Sequence, residues 1–166
     1  SNSLIERVAT LLPSGRWGEL KGLAVATGPG GFTGTRLSVV MARTLAQQLG
    51  CPLLGVSSFA LMAPRLAPDE QPFWITQPLP RRGVVAGQYR VRAAVVQELE
   101  APHLLDADRI VSPAIEAAVD VDADVEALLG RLRQALQRGE LLPWQPVLPI
   151  YPVSYTHLRA HETLPY

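Results

Sequence analysis

Apolar residues recur three or four apart over 3–12: Leu4, Ile5, Val8, Leu11 and Leu12 share one face, which predicts an amphipathic helix. Ser3 followed three residues later by Glu6 is a capping-box pattern, and Pro13 ends the helix. Residues 14–18 read as a turn. The run Gly22-Leu23-Ala24-Val25-Ala26-Thr27 predicts a short strand covered on both faces, as parallel sheets require. A glycine-rich loop over 28–34 then leads into a helix over 35–49, with Leu37, Val40, Met41, Leu45 and Leu49 at helical spacing. Gly50 suits the position just past its end, and Pro52 bars continuation. Leu53-Leu54-Gly55-Val56 is a second apolar strand, so the order strand, loop, helix, strand makes one βαβ unit.

Beyond it, Ser57 or Ser58 caps a short helix that ends near Pro64. Pro64, Pro68, Pro72, Pro78 and Pro80 crowd one region, and the domain boundary is expected near residue 65, dividing the chain into 1–65 and 66–152. Residues 73–76 read as a strand and 84–96 as a strand or hairpin, with Gly83 and Gly87 as turn or bulge points. Over 123–137 a second strong helix presents Val125, Leu128, Leu129, Leu132 and Leu136 on one face, and Gly139 terminates it. Pro143, Pro146 and Pro149 mark an extended segment. From Val153 the tail Ser154-Tyr155-Thr156-His157-Leu158-Arg159-Ala160-His161-Glu162-Thr163 resembles the conceptual translation of a sequencing adapter, so 153–166 is set aside as non-native.

Composition narrows the function classes. Of 166 residues 48% are apolar, enough for a real core. Fifteen acidic against fifteen basic side chains leave no net field to draw in a polyanion, which disfavours autonomous nucleic-acid binding. The single cysteine, Cys51, excludes an internal disulfide, and no apolar run approaches the ~20 residues of a membrane span. A reduced, cytoplasmic protein is the expectation.

Candidate chemistry centres on Gly28, Pro29, Gly30, Gly31, Phe32, Thr33, Gly34, Thr35 and Arg36. Glycines permit positive φ and close backbone approach, and the helix that follows aims its unpaired N–H groups at the loop, so an anion site is physically possible. A phosphate loop of the Walker type needs a lysine where Thr35 stands, and the dinucleotide fingerprint needs a glycine where Thr33 stands. From Leu20 to Pro68 the chain holds no Asp or Glu, so the loop has no local magnesium ligand or general base. A distant acid such as Asp106 would have to fold back. A tight turn that permits close packing explains the glycines equally well, and both readings stay open. Ser57 lacks the closing glycine of a nucleophile elbow, and His103, beside Pro102, reads as a loop histidine. His157 and His161 belong to the excluded tail. Asp106, Asp108, Asp120, Asp122 and Asp124 lack the glycine and closing glutamate of a calcium loop; Asp120 to Glu126 reads as a solvated, negatively charged helix start. Trp17, Trp74 and Trp144 are too scattered for a base-stacking platform.

The stretch Ala24-Val25-Ala26-Thr27-Gly28-Pro29-Gly30-Gly31-Phe32-Thr33-Gly34-Thr35-Arg36, with Gly50-Cys51-Pro52-Leu53-Leu54-Gly55-Val56-Ser57-Ser58 after the helix, resembles the signature of the bacterial TsaB family. The resemblance covers the first helix to about Leu66 and is looser over 70–151, where Pro80-Arg81-Arg82-Gly83 replaces the family's acid-preceded arginine hairpin. It implies an α/β, actin-like ASKHA (ribonuclease H-like) fold in two lobes, the first incomplete because strands that open the family's chains precede this one. It further implies a non-catalytic scaffold and dimerisation subunit of the complex that forms N6-threonylcarbamoyladenosine beside the anticodon of tRNAs reading codons that begin with A. The partners so implied are the catalytic subunit TsaD, the ATPase TsaE and a second copy, with tRNA reached only through the complex. ATP and a divalent metal belong to those partners, and no cofactor to this chain. The family presents the helices 3–12 and 35–49 to its partner, which maps the interface to Leu4, Val8, Leu11, Arg36, Val40, Arg43 and Gln47.

Two rival functions are a stand-alone nucleotide-binding ATPase using the 28–34 loop and a glycoprotease-like metallopeptidase; the latter needs a histidine pair in the first lobe, where no histidine lies. Micromolar ATP binding with turnover would favour the first rival. An unpaired edge beside strand 22–27 predicts aggregation or instability of residues 1–151, checked by thermal unfolding, where a sharp monomeric transition is the contrary result.

Overall fold

The computed structural model describes residues 2–30 and 32–152, so Gly31 and the adapter-like reading of 153–166, with His157 and His161, lie outside the described residues. Packing divides the chain into two units, Ser1–Val56 with Val125–Pro149, and Ser57–Asp124 with the chain from Ile150 onward. The proline cluster had suggested 1–65 and 66–152. The observed division instead follows two packing facts: the helix after Val56 lies on the second sheet, and the C-terminal helix and segment return to the first unit.

In the first unit, α1 (Asn2–Leu11) is followed by a 3-10 turn (Ser14–Glu19), which Trp17 closes by donating from Nε1 to Leu12 O at 2.8 Å. Ser3 lies inside α1 rather than capping it, because the helix already starts at Asn2. Strand β1 (Leu23–Ala26) pairs in parallel with β2 (Leu53–Val56), Leu23 opposite Leu53 and Ala26 opposite Val56. Between them runs α2 (Phe32–Leu49), three residues longer at its start than its apolar spacing indicated, since Phe32, Thr33 and Gly34 form its first turn instead of loop. It ends as Gly50 and Pro52 require: Gly50 has φ +63, and the Cys51 amide donates back to Ala46 O at 3.2 Å.

The core of this unit is Val25, Val39, Ala46 and Leu53, with Leu23, Ala42, Cys51, Trp144 and Val147 packed against it. Burial pushes the Cys51 thiol up, against a smaller opposing backbone hydrogen bond. Among the described residues no strand pairs with the outer edge of β1. Helix α4 (Val121–Gln137) buries Leu132 and Ala135, and the side chains of Leu132 and Leu136 close over Gly22. Val125 and Leu129, expected on the packed face, are exposed although they lie on the same side of the helix as Leu132: burial is confined to Leu132 and Ala135 in the C-terminal half of α4. Its end is a Schellman turn, Gly139 at φ +67 donating to Leu136 O and Glu140 to Ala135 O.

The second unit is a four-stranded sheet in the order β5-β4-β3-β6 with α3 (Ser58–Leu66) packed on β4 and β5. Strands β3 (Phe73–Leu79), β4 (Gly83–Arg92) and β5 (Val95–Leu104) are antiparallel neighbours, and the three-residue β6 (Ala114–Glu116) adds to β3 in parallel. The hairpin runs eight residues past the expected end, because its turn is Ala93-Ala94, both at positive φ (47° and 63°), with none of the Asn or Gly that marks such turns. His103 is therefore a buried residue of β5 and not a loop histidine. Gly87 sits at a shift of register, and a Cβ there would lie 3.0 Å from the Tyr89 ring that folds over it. Phe73, Ile75, Val85 and Tyr89 face one side together with the buried α3 residues Phe59 to Ala63.

Two glycines separate conformational cost from packing need. Gly130 lies inside α4, and a Cβ there meets nothing within 4 Å, so Gly130→Ala should raise stability by about 0.5–1 kcal/mol in urea denaturation. A Cβ on Gly55 would lie 2.8 Å from Val147 Cγ1 and 3.1 Å from Thr27 Cγ2; Gly55→Ala should lower stability by about 1–3 kcal/mol in the same assay.

Candidate functional site

Where β1 ends, the Thr27 amide donates to Val56 O at 2.9 Å, and the Thr27 side chain is buried. Gly28 follows at φ +95, a conformation that excludes a Cβ without strain, and the Gly28–Pro29 peptide is cis. Gly28 and Pro29 are buried, Gly30 is exposed, and a Cβ on Gly30 would come within 3.0 Å of Thr35 Oγ1. Gly34, by contrast, has open space around it in the first turn of α2. The loop is thus a tight strand-to-helix turn in which Gly28 and Gly30 have local reasons to be glycine. No acidic side chain stands in the first turn of α2, and Arg36 is exposed and engaged in an interaction.

The predicted interface residues divide into three groups. Leu11 (86% exposed), Val40 (52%), Arg36 and Gln47 lie on the surface, whereas Leu4 and Val8 are half-buried. Leu37, at helical spacing with Val40, is exposed and continues the stripe of Val40, Thr44 and Gln47. Arg43 does something else. Its Nη1 lies 3.2, 2.8 and 2.6 Å from the carbonyl oxygens of Trp144, Gln145 and Val147, and its guanidinium stacks 5.0 Å from the Trp144 ring. It ties the proline-rich segment to α2, and sequence reasoning missed this because the partner is about a hundred residues away.

The second unit holds two polar networks that no local motif announced. Ser57 caps α3, accepting from the Ala60 amide at 3.0 Å, and donates to Glu98 Oε2 at 2.9 Å. The buried Tyr89 hydroxyl donates to the same Glu98 oxygen at 2.9 Å. Ser57 is therefore committed to structure, its hydroxyl shared between the α3 cap and the Glu98 carboxylate. On the other side of the sheet, Glu100 accepts two hydrogen bonds from Arg109, at 3.0 and 3.3 Å, and its Oε1 lies 3.2 Å from His103 Nε2. Asp120 caps α4 by accepting from the Ala123 amide, and Arg65 pairs with Asp124 at 3.0 Å and reaches Ala118 O, which fits the reading of 120–126 as a charged helix start. Among the described residues no three His, Cys, Asp or Glu side chains gather to hold a metal ion.

Comparison with known proteins gives this geometry its place. Two solved structures match it: a protein of Pseudomonas aeruginosa described as uncharacterized with similarity to peptidase YEAZ (TM-score 0.68, 21% identity, 91% of this chain and 83% of that one) and YeaZ from Pseudomonas aeruginosa (TM-score 0.65, 24% identity, 89% and 83%). The fold is accordingly the two-lobe α/β, actin-like ASKHA fold of the YeaZ type. The tRNA threonylcarbamoyladenosine biosynthesis protein TsaB of Bacillus subtilis (strain 168) is 44% identical over 45 residues, 27% of this chain, so the alignment spans a fifth of that relative's length. The family model described as TsaD, tRNA N6-adenosine threonylcarbamoyltransferase, matches residues 9–123, well over half of the sequence. The chain belongs to the TsaD family.

Proposed function

We propose that this chain is a non-catalytic scaffold subunit of the TsaB type, serving the threonylcarbamoylation of the adenosine beside the anticodon in tRNAs that read codons beginning with A. The observation that carries the reading is the 44% identity over 45 residues to a protein named for this biosynthesis. The chemistry of the chain agrees with a supporting role. The sequence around the glycine turn holds no carboxylate from residue 20 to 68, so it supplies no local magnesium ligand or general base. The transferase step then belongs to the catalytic partner TsaD and the ATPase step to TsaE, with the metal and ATP held by those subunits. tRNA is reached through the assembled complex, in the cytoplasm. No described helix is long and apolar enough to cross a membrane.

In this reading the partner, or a second copy, docks on α1 and α2 through Leu4, Val8, Leu11, Arg36, Val40 and Gln47, with Leu37 added. Arg43 supports that surface from behind by holding the 144–147 segment. Exposed aliphatic side chains on helices supply apolar area without disturbing the core when removed.

Val40→Asp is expected to abolish co-purification with the catalytic subunit and to lower reconstituted threonylcarbamoyl transfer by about tenfold or more, with the melting temperature unchanged. Arg43→Met should instead lower the melting temperature, because it releases three carbonyls and a stacked ring. Transfer by the purified chain unaided, or unimpaired binding by the Val40 variant, would overturn the reading.

A further inference from the structure

The sheet of the second unit runs β5-β4-β3-β6, so β6 is an end strand, and among the described residues no strand pairs with its outer edge. Its bonds to β3 say which backbone groups face outward. Trp74 N–H donates to Pro113 O at 2.8 Å and Ala117 N–H to Thr76 O at 2.7 Å, on either side of the register pair Ile75 and Ile115. Backbone groups alternate sides along a strand, so those of Pro113, Ile115 and Ala117 turn to β3 and those of Ala114 and Glu116 turn out. Both outward residues have an amide N–H and a carbonyl to offer a further strand.

The face of the sheet beside this edge is apolar. Ala114 shares a row with Trp74 and Glu116 with Thr76, and Arg109 lies over the Trp74 ring. The segment 105–111 therefore crosses this face. Along it runs a groove of about 340 Å³, lined by Thr76, Val84, Leu105, Ile110, Val111 and Ala114. Ile110 is 93% exposed, and Val119 and Val121, which follow β6, are 77% and 66% exposed. Aliphatic area left beside an open strand edge is what a strand-adding peptide covers.

Charge selects among possible strands. From residue 105 to 123 the chain holds Asp106, Asp108, Glu116, Asp120 and Asp122 against one base, Arg109, which Glu100 already binds. All five acids are exposed, and Asp106 borders the groove itself. Edge strands are commonly guarded by charge, but this guard has a single sign. It repels an acidic strand, a second β6 included, and attracts a basic one.

We propose that the β6 edge is a docking site for an extended segment of a partner protein rich in aliphatic and Lys or Arg residues. The segment adds as a strand through the outward groups of Ala114 and Glu116. An aliphatic side chain beside Ala114 enters the groove under Ile110, and a cation one row further along meets Glu116.

A short labelled peptide repeating Val-Val-Lys-Lys puts valine and lysine at alternate places on each face of a strand, and it serves as the probe. Fluorescence anisotropy with the full chain should show saturable binding that weakens as salt rises. The repeat Val-Val-Glu-Glu should not bind, and Ser-Ser-Lys-Lys should bind about tenfold more weakly. Glu116→Lys and Asp106→Lys should each weaken the lysine peptide by about fivefold or more with the melting temperature unchanged. Hydrogen exchange of the Ala114 and Glu116 amides should slow when the peptide binds, while that of β5 stays as it was. Absence of binding, unaltered affinity in both charge variants, equal binding of the serine and valine peptides, or protection elsewhere than at β6 overturns the proposal. So does a dimer of the chain that Glu116→Lys breaks, because the occupant is then a second copy.

Discussion

Among the described residues the first unit has two paired strands from which to build a core, and what closes it is a segment from far along the chain. Trp144 and Val147 complete the cluster begun by Val25, Val39, Ala46 and Leu53, and Arg43 holds that segment by three carbonyls and a stacked ring. Proline-rich backbone has unpaired carbonyls to offer, and one guanidinium with several donors is suited to gather them. Gly55 is the other half of the same constraint, since the segment approaches β2 too closely for a side chain there. With Trp144 in place the outer surface of α2 is left to Leu37, Val40, Thr44 and Gln47.

The second unit solves its packing differently. α3 buries an almost continuous apolar run, Phe59 to Ala63, against the Tyr89 side of the sheet, and its capping serine is fastened by Glu98 to the hairpin. The opposite side carries the polar work: Trp74 under Arg109, and Glu100 shared between Arg109 and His103. Both networks keep a carboxylate satisfied by more than one donor, the condition under which buried polar groups stabilise a single arrangement.

These features fit a subunit whose contribution is surface and rigidity. The glycine turn between β1 and α2 is shaped by its own packing, Gly28 by its positive φ and Gly30 by Thr35, so its glycines do not demand a ligand. The chain belongs to the TsaD family and has the fold of the YeaZ structures, and its exposed helical faces supply the kind of area on which the proposed scaffold subunit would act.

Local signals were strong wherever one residue's conformation or spacing decided the outcome. Proline ends α1, Gly50 and Gly139 end α2 and α4 at positive φ, Ser57 caps α3, and the parallel pairing of 53–56 with 22–27 followed from two apolar runs around a helix. The resemblance carried by the glycine turn likewise pointed to the two-lobe fold before any coordinates did. The tertiary structure alone decided the rest. Ala93-Ala94 turns a hairpin without turn residues, because the cross-strand pairing of ten-residue strands outweighs the cost of two alanines at positive φ. How far along its apolar face α4 is covered, what Arg43 binds, and where His103 sits depend on partners far along the chain, or on a strand register that periodicity cannot specify. Spacing along a chain reports a face, but only folding says what comes to lie against it.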